Sequence, residues 1–283
     1  MSQILNLLRT GMECLCLYMT LPSDSLKNKF FCHIAGIFNV LFALPSLVSY
    51  TIARIYDACC RILASKCLVN YIGFYVRSCD CEGLLVFHPS YEHRVTATLT
   101  RLLRRGGVFI DVGAHIGRYT LLASKRVGSE GVVALEPIPE NYKVLIENIK
   151  RSRVNNVIAL LIAAWNISTI LEFVVPPGRS AATAKELHHF SGLQLRGYKI
   201  RVKAVDLDTL LLRMLKLSRV DVMKIDVKGA EIEVLKGARE VMERYRPKMV
   251  VEVRSQTRTK VKKLLKLYGC RITVIDESNI LAY

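Results

Sequence analysis

The stretch FIDVGAHIGRYTLL, residues 109–122, reads as a short apolar strand, a glycine-containing turn and the beginning of a helix. The strand ends on an acid, Asp111, and the turn contains Gly113 and Gly117. A strand, a turn and a helix in this order begin a β-α-β unit with parallel strands. Because ligands of open α/β sheets bind beyond the carboxyl ends of the strands, this turn is the first place to expect a ligand.

The turn departs from the G-x-G-x-x-G fingerprint of dinucleotide-binding proteins. His115 stands at the middle glycine, which would let the backbone approach a pyrophosphate, and the negative charge of Asp111 would repel phosphate. Both departures favour S-adenosylmethionine, which has no phosphate and carries an ammonium and a sulfonium. At the end of the next predicted strand, Glu136 can accept hydrogen bonds from the ribose hydroxyls of an adenosine ligand.

The same alternation of strand and helix continues through residues 85–283, which we predict to form one domain. It predicts an α/β fold of the Rossmann-like type, with a mostly parallel seven-stranded sheet and helices on both faces. The expected strands lie at 108–111, 131–137, 156–165, 220–227, 247–254 and 270–276, the expected helices at 116–127, 140–152, 229–245 and 256–269, and a strand end followed by a helix at 202–216.

A second informative stretch is VDVMKIDVKGAEIEVLKGA, residues 220–238. It predicts a strand that ends at Asp226, a turn at Gly229 and a helix that carries Glu231 in its first turn. Both acids are expected to face the ligand crevice, although an acid near a helix N-terminus also interacts favourably with the helix dipole. A carboxylate or a histidine within hydrogen-bond reach of a bound substrate can take up a proton, and we predict Asp226 as the first such acceptor, then Glu231, then His115.

The chain resembles the FkbM-type S-adenosylmethionine-dependent methyltransferases in the order and spacing of four blocks. The last block, with K-I-D-V-x-G-A-E and then V-L-K-G-A, is the most specific. The resemblance implies a class I methyltransferase fold and methyl transfer to a hydroxyl of a sugar, glycan, lipid-linked or natural-product acceptor. The blocks are FIDVGAHIGRYTLL (109–122), VVALEPIPENYKVLIENI (132–149), NVIALLIAAW (156–165) and VDVMKIDVKGAEIEVLKGA (220–238).

Carried over by position, the resemblance implies two acidic positions beside the reaction site, Asp226 and Glu231. Methyl transfer from a sulfonium requires no metal, although a divalent ion held by these two acids remains open. This chain has His115 where the family usually has Asn, and Lys228 where it usually has Glu. The second departure removes an acid from the rim of the crevice and bears on substrate preference. The residues implied to hold the cofactor are Asp111, Gly113, Ala114, Gly117, Glu136 and Asp226.

Residues 1–84 differ in composition and are predicted to form an apolar helical region. Residues 30–53 contain no Asp, Glu, Lys or Arg, and a helix of 24 residues is about 36 Å long, enough to cross about 30 Å of hydrocarbon. A membrane span, a peripheral association and a helical cap broken near Pro45 remain open. Basic residues after the run favour a cytoplasmic carboxyl-terminal side. We therefore expect a membrane-associated protein with a cytoplasmic catalytic domain, or a cytoplasmic protein.

The net charge of +17 leaves two alternative functions open. One is an RNA methyltransferase that binds phosphates through the basic helix expected within 254–271. The other is a membrane-associated scaffold without catalysis, which the retained acids Asp111 and Glu136 disfavour. Neither the sequence motifs nor the composition selects one acceptor.

Overall fold

The computed structural model describes residues 68–77, 86–175, 183–184 and 197–283. The predicted membrane segment at 30–53 lies outside these residues. None of the helices in the described ranges is long and apolar enough to cross a membrane. The chain divides into two compact units, Met1–Tyr91 with Ile146–Arg153, and Glu92–Leu145 with Val154–Tyr283.

The strands are β1 (Val69–Tyr71), β2 (Phe74–Val76), β3 (Phe109–Val112), β4 (Val132–Leu135), β5 (Val157–Leu160), β6 (Ala163–Trp165), β7 (Thr169–Val175), β8 (Thr183–Ala184), β9 (Tyr198–Asp206), β10 (Val222–Ile225), β11 (Lys248–Glu252), β12 (Ile272–Val274) and β13 (Asn279–Ala282). The α-helices are α1 (His93–Leu102), α2 (Arg118–Val127), α3 (Pro139–Arg151), α4 (Glu231–Lys236), α5 (Arg239–Tyr245) and α6 (Ser255–Leu267), and a π-helix covers Asp208–Met214.

The main sheet of the second unit has seven strands in the order β12-β13-β11-β10-β3-β4-β5. The five strands from β11 to β5 are parallel to their neighbours, and β13 is antiparallel to both β11 and β12. Every residue of β3, β4 and β10 is buried, as expected for parallel strands covered on both faces. The predicted α/β class and seven-stranded sheet are confirmed, and the sheet is mixed.

A second sheet, which the sequence did not predict, holds β6, β9, β7 and β8 in that order. The single strand expected at 156–165 is wrong, because the chain leaves the main sheet after β5 and enters the second sheet at β6. Leu161, between them, is 42% exposed. An unbroken apolar run does not reveal a change of direction, so periodicity alone could not find this division.

The described part of residues 1–84 is a β-hairpin and corrects the helical prediction there. Strands β1 and β2 pair antiparallel through Tyr71 and Phe74. Ile72 and Gly73 both have positive φ, and the amide N–H of Gly73 donates to the side chain of Asn70. Two positive φ angles between short strands rich in Val, Tyr and Phe are typical of a tight hairpin.

The helix predicted at 229–245 is two helices, α4 and α5, which are divided at Gly237 and Ala238. A Cβ at Gly237 would lie 2.1 Å from the carbonyl oxygen of Trp165, the last residue of β6. The helix therefore passes so close to the second sheet that no side chain fits at this position. The amide N–H of Asp208, the first residue of the π-helix, donates to the carbonyl of Gly237 at 2.9 Å.

We predict that Gly237→Ala lowers the free energy of unfolding by about 2–3 kcal/mol, the usual cost of overpacking a closed site. Urea denaturation of the full chain measures the change. Ser255→Ala, an equally small change at an exposed position, serves as control and should stay within about 0.5 kcal/mol of the parent. Equal stabilities of the two variants would contradict the close approach.

Candidate functional site

Four neighbouring parallel strands of the main sheet carry acids at the same edge. Asp111 lies near the end of β3, Glu136 follows β4, Asp226 follows β10 and Glu252 ends β11. The strand order places β4, β3, β10 and β11 side by side. The structure therefore brings three predicted site residues to one edge, together with Glu252, which the sequence did not single out.

The turn after β3 lies directly against the end of β10. Gly113 has a φ of +85°, and a Cβ there would lie 2.0 Å from the carbonyl oxygen of Asp226. No side chain can occupy this space, so glycine is required for both the backbone angle and the contact. The space that a side chain at Gly113 would need is therefore filled by the backbone of Asp226.

The rest of the turn is fixed by its backbone. The amide N–H of Ala114 donates to the carbonyl of Leu135 at 2.9 Å. His115 has a φ of +52°, and its amide N–H donates to Oε2 of Glu136 at 2.8 Å. Histidine and asparagine both enter the left-handed region more readily than most residues, which explains how His115 fits a position where the family usually has Asn.

Gly117 is the residue before α2 and has a φ of +99°. A Cβ at this position would lie 2.8 Å from Cδ1 of Leu145, on α3. The absence of a side chain at Gly117 therefore lets α3 pack close to the beginning of α2.

Glu136 connects the end of β4 to the glycine turn. It is 4% exposed, and its Oε1 accepts hydrogen bonds from the amide N–H of Ile138 at 3.0 Å and from Nδ2 of Asn141 at 3.3 Å. Its Oε2 accepts a hydrogen bond from the amide N–H of His115 at 2.8 Å. Burial raises the pKa of Glu136 to about 7, although these hydrogen bonds stabilise the ionised form. The side chain therefore changes charge near neutral pH.

Asp111 lies beneath the turn and is 2% exposed. The hydroxyl of Thr120, on α2, donates to its Oδ2 at 2.6 Å. Burial raises the pKa of Asp111 to about 6, against the hydrogen bond from Thr120 and the positive charge of Lys224, which both favour ionisation. Above that pH the carboxylate supplies negative charge close to the glycine turn.

Asp226 and Glu252 are joined by the ammonium of Lys228. Nζ of Lys228 lies 3.0 Å from Oδ1 of Asp226 and 3.1 and 3.2 Å from the two carboxylate oxygens of Glu252. The three side chains are partly exposed, by 21% for Asp226, 32% for Lys228 and 20% for Glu252. The cluster is therefore open to a ligand on one side.

The two carboxyl groups of this cluster differ in their affinity for protons. Burial alone would raise the pKa of Asp226, but the charges of Lys224 and Lys228 outweigh it and hold that pKa below its usual range. Burial, followed by the negative charge of Asp226, raises the pKa of Glu252. Glu252 is thus the stronger proton acceptor of the pair when it is ionised.

Further charged groups around Asp226 were missed by the sequence reasoning. Lys224 is 1% exposed, and its Nζ lies 3.5 Å from Oδ2 of Asp226 and 5.7 Å from the ring centroid of Tyr119. The hydroxyl of Tyr119 donates to Oε2 of Glu92 at 2.6 Å. Carboxylate oxygens of Glu92, Asp226 and Glu252 lie within 4.8 Å of one another.

The sequence contained a signal for two of these groups. Glu252 ends an apolar run, KMVVE, as Asp226 ends VMKID, and Lys224 is a single charge inside that second run. Glu92 directly precedes α1, so no pattern within a strand connects it with the other acids.

Glu231, predicted as a proton acceptor, is held inside the protein by local contacts. It is 1% exposed, its Oε1 accepts the amide N–H of Gly229 at 2.7 Å, and its Oε2 accepts the hydroxyl of Thr257 at 3.1 Å. These bonds tie the turn after β10 to α6. The contacts of Glu231 favour a positioning role over a catalytic one, and its predicted catalytic role stays a prediction.

Two curated proteins are similar to this chain over part of its length. Methyltransferase 1 of Beauveria bassiana is 27% identical over 141 residues, covering 45% of this chain and 57% of that protein. Methyltransferase sdnD of Sordaria araneosa is 29% identical over 190 residues, covering 58% of this chain and 73% of that protein. The chain thus spans little more than half of the first relative.

A solved structure with a similar arrangement is methyltransferase FkbM from Methylobacillus flagellatus KT. It has a TM-score of 0.44 and 14% identity, and the match covers 97% of this chain and 59% of that one.

The family model for the methyltransferase FkbM domain matches residues 111–271, more than half of the chain. The matched range begins at Asp111 and contains the glycine turn, Glu136 and the Asp226–Glu252 pair. It confirms the resemblance found in the sequence and the cofactor expected with it, S-adenosylmethionine. The chain belongs to the FkbM family of methyltransferases.

Proposed function

We propose that the protein transfers the methyl group of S-adenosylmethionine to a hydroxyl of a small-molecule, glycan or lipid-linked acceptor. The observation that carries this proposal is the partly exposed pair Asp226 and Glu252, next to the glycine turn and at the same edge of the sheet. An alcohol is a weak nucleophile until its proton is removed, so a carboxylate at the reaction site is the group that its methylation needs.

The cofactor is proposed to lie across the carboxyl ends of β4, β3 and β10. Glu136 would accept hydrogen bonds from the ribose hydroxyls, since each carboxylate oxygen can accept more than one hydrogen bond. The negative charges of Asp111 and Asp226 would favour the ammonium and the sulfonium, and the backbone from Gly113 to Gly117, including Ala114, would line the cofactor. This arrangement follows the general placement of ligands in open α/β sheets.

Methyl transfer forms a bond from the acceptor oxygen to the methyl carbon while the bond from carbon to sulfur breaks. Much of the catalysis is alignment of these atoms, because the sulfonium is already activated. The hydroxyl proton must move to a nearby carboxylate. We propose that Glu252 accepts this proton and that Asp226 orients the acceptor. Asp226 is the weaker base of the two because it lies beside two lysines. The backbone of His115 takes part in the turn, and this residue stays the last candidate for the base.

RNA remains the alternative acceptor because of the basic surface of α6. The helix buries Thr257, Val261 and Leu265, while Leu267 is 79% exposed. Its exposed basic residues are Lys260, Lys263 and Lys266, with Arg254, Arg258 and Lys262 half-buried.

We predict that Glu136→Gln weakens S-adenosylmethionine binding and removes most of its dependence on pH. With the parent protein, affinity should fall about tenfold from pH 8 to pH 6, because a carboxyl with a pKa of about 7 becomes protonated over that range. Calorimetry with the full chain measures both effects. Glu243→Gln, on an exposed carboxylate paired with Arg239, should bind as the parent does. Identical pH dependence in all three proteins would sink the assignment of Glu136.

We also predict that the protein forms a methoxy group in a small-molecule, glycan or lipid fraction. These fractions and total RNA are prepared from cells that lack the protein. Each preparation is then incubated with the full chain and with S-adenosylmethionine labelled on the methyl group. Carbon NMR of the labelled product distinguishes an O-methyl from an N-methyl or C-methyl group. Label found in RNA alone, with binding that weakens steeply in salt, would favour the alternative acceptor.

On the acceptor so identified, Glu252→Gln should lower the rate about a hundredfold, the usual contribution of a positioned proton acceptor. Its affinity for S-adenosylmethionine should stay at the parent value, since the cofactor is proposed to contact Glu136 and Asp226 instead. Glu243→Gln is the control for rate. An unchanged rate in Glu252→Gln would remove this residue from the mechanism.

A further inference from the structure

The acidic cluster at the ends of β10 and β11 has the composition of a divalent cation site. Carboxylate oxygens of Glu92, Asp226 and Glu252 lie within 4.8 Å of one another, and all three side chains are intermediate in burial. Carboxylates are the ligands that Mg²⁺, Ca²⁺ and Mn²⁺ prefer. Three such groups repel one another at this separation, so ionisation of the cluster requires positive charge between them.

Lys228 already places a positive charge inside the cluster. Its ammonium contacts Asp226 at 3.0 Å and Glu252 at 3.1 and 3.2 Å, and therefore bridges two of the three carboxylates. The lysine holds this place from a left-handed backbone position, with a φ of +49°, in the turn after β10. Burial alone would lower the pKa of Lys228, but Asp226 and Glu252 outweigh it and raise that pKa, so the ammonium stays charged.

Lys224 also lies against the carboxylate of Asp226, at its other oxygen, but it does not bridge Asp226 to Glu252 as Lys228 does. It is 1% exposed on β10, and its Nζ lies 3.5 Å from Oδ2 of Asp226. Lys228 contacts the other oxygen, Oδ1, and is 32% exposed. Lys228 thus lies between Oδ1 of Asp226 and the carboxylate of Glu252.

We infer that the ammonium of Lys228 is the built-in cation of this site and takes the place that a divalent metal ion would otherwise hold between Asp226 and Glu252. A metal ion and this ammonium exclude each other, because both need the same carboxylate oxygens and carry charge of the same sign. The Glu92–Asp226–Glu252 cluster therefore binds divalent ions only when the charge of Lys228 is removed.

If the protein methylates a hydroxyl as proposed, the charge of Lys228 also acts on the acceptor. A fixed positive charge next to the proton acceptor stabilises the negative charge that develops on an alcohol oxygen as its proton leaves. In this site Lys228 would provide that stabilisation. Its ammonium would also hold the carboxylates of Asp226 and Glu252 in position beside the acceptor.

Titration of the full chain with Mn²⁺, followed by electron paramagnetic resonance of the free ion, tests the inference without any acceptor. We expect Lys228→Met to bind Mn²⁺ at least about tenfold more tightly than the parent protein, because an opposing charge next to two ligands is gone. Lys228→Arg, which keeps the charge, should bind as weakly as the parent. Lys236→Met removes a lysine from an exposed ion pair with Glu233 and is the matched control.

Adding Asp226→Asn to Lys228→Met should abolish the gained Mn²⁺ binding, which places the ion in the cluster. Equal binding by the parent and Lys228→Met would overturn the inference. Mn²⁺ binding by the parent protein that is lost in the single variant Asp226→Asn would also overturn it. This second comparison does not depend on the folding of Lys228→Met. Since no methyl transfer is measured, failure of the proposed hydroxyl methylation would leave these outcomes unchanged.

Discussion

The close approach of two backbone segments is the constraint on which the rest of the site depends. At Gly113 the chain comes so near the carbonyl of Asp226 that a Cβ would lie 2.0 Å from that oxygen. The amide N–H of Asp226 also donates to the carbonyl of Val112 at 2.9 Å. The turn after β3 and the turn after β10 are therefore locked together. Groups carried by the two turns, such as His115 and Lys228, are held at one edge by this contact.

Charge balance is the second determinant of the site. Burying a carboxylate is costly unless it is paired or hydrogen-bonded, and the chain uses both solutions. Glu136 is satisfied by two amide N–H groups and an asparagine side chain, whereas Asp226 is flanked by two lysines. The two environments move the pKa values in opposite directions, up for Glu136 and down for Asp226. One edge of a sheet thereby offers a group that titrates near neutral pH and one that stays ionised.

Much of this edge could be predicted from the sequence because parallel strands end on the same side. Once VFID and VDVMKID are identified as strands, Asp111 and Asp226 must lie at one edge, and the structure places them there. The glycines were also identified, but their neighbours were not. Which backbone atom lies against Gly113 depends on the register between β3 and β10. Both strands are buried throughout, so no alternation in the sequence marks that register.

The misses have similar physical causes. The run 156–165 is apolar throughout, so its division into β5 and β6 in two sheets left no mark in the pattern. The hydrogen bond from the hydroxyl of Thr257 to Glu231 joins elements distant in sequence and also left no mark in the pattern, and the catalytic role of Glu231 stays a prediction. Glu92 reaches the cluster through the tertiary fold alone. Local sequence thus predicted which edge carries the acids, and not which tertiary contacts hold them.

The proposed function requires one edge of the main sheet to hold both the methyl donor and the proton acceptor. A crystal structure of the full chain with S-adenosylhomocysteine would locate both groups. We expect the ribose hydroxyls within hydrogen-bond distance of Glu136, and the sulfur at the carboxyl end of β3 on the side that faces Asp226 and Glu252. A ribose away from Glu136, or a sulfur that faces away from the Asp226–Glu252 pair, would contradict it.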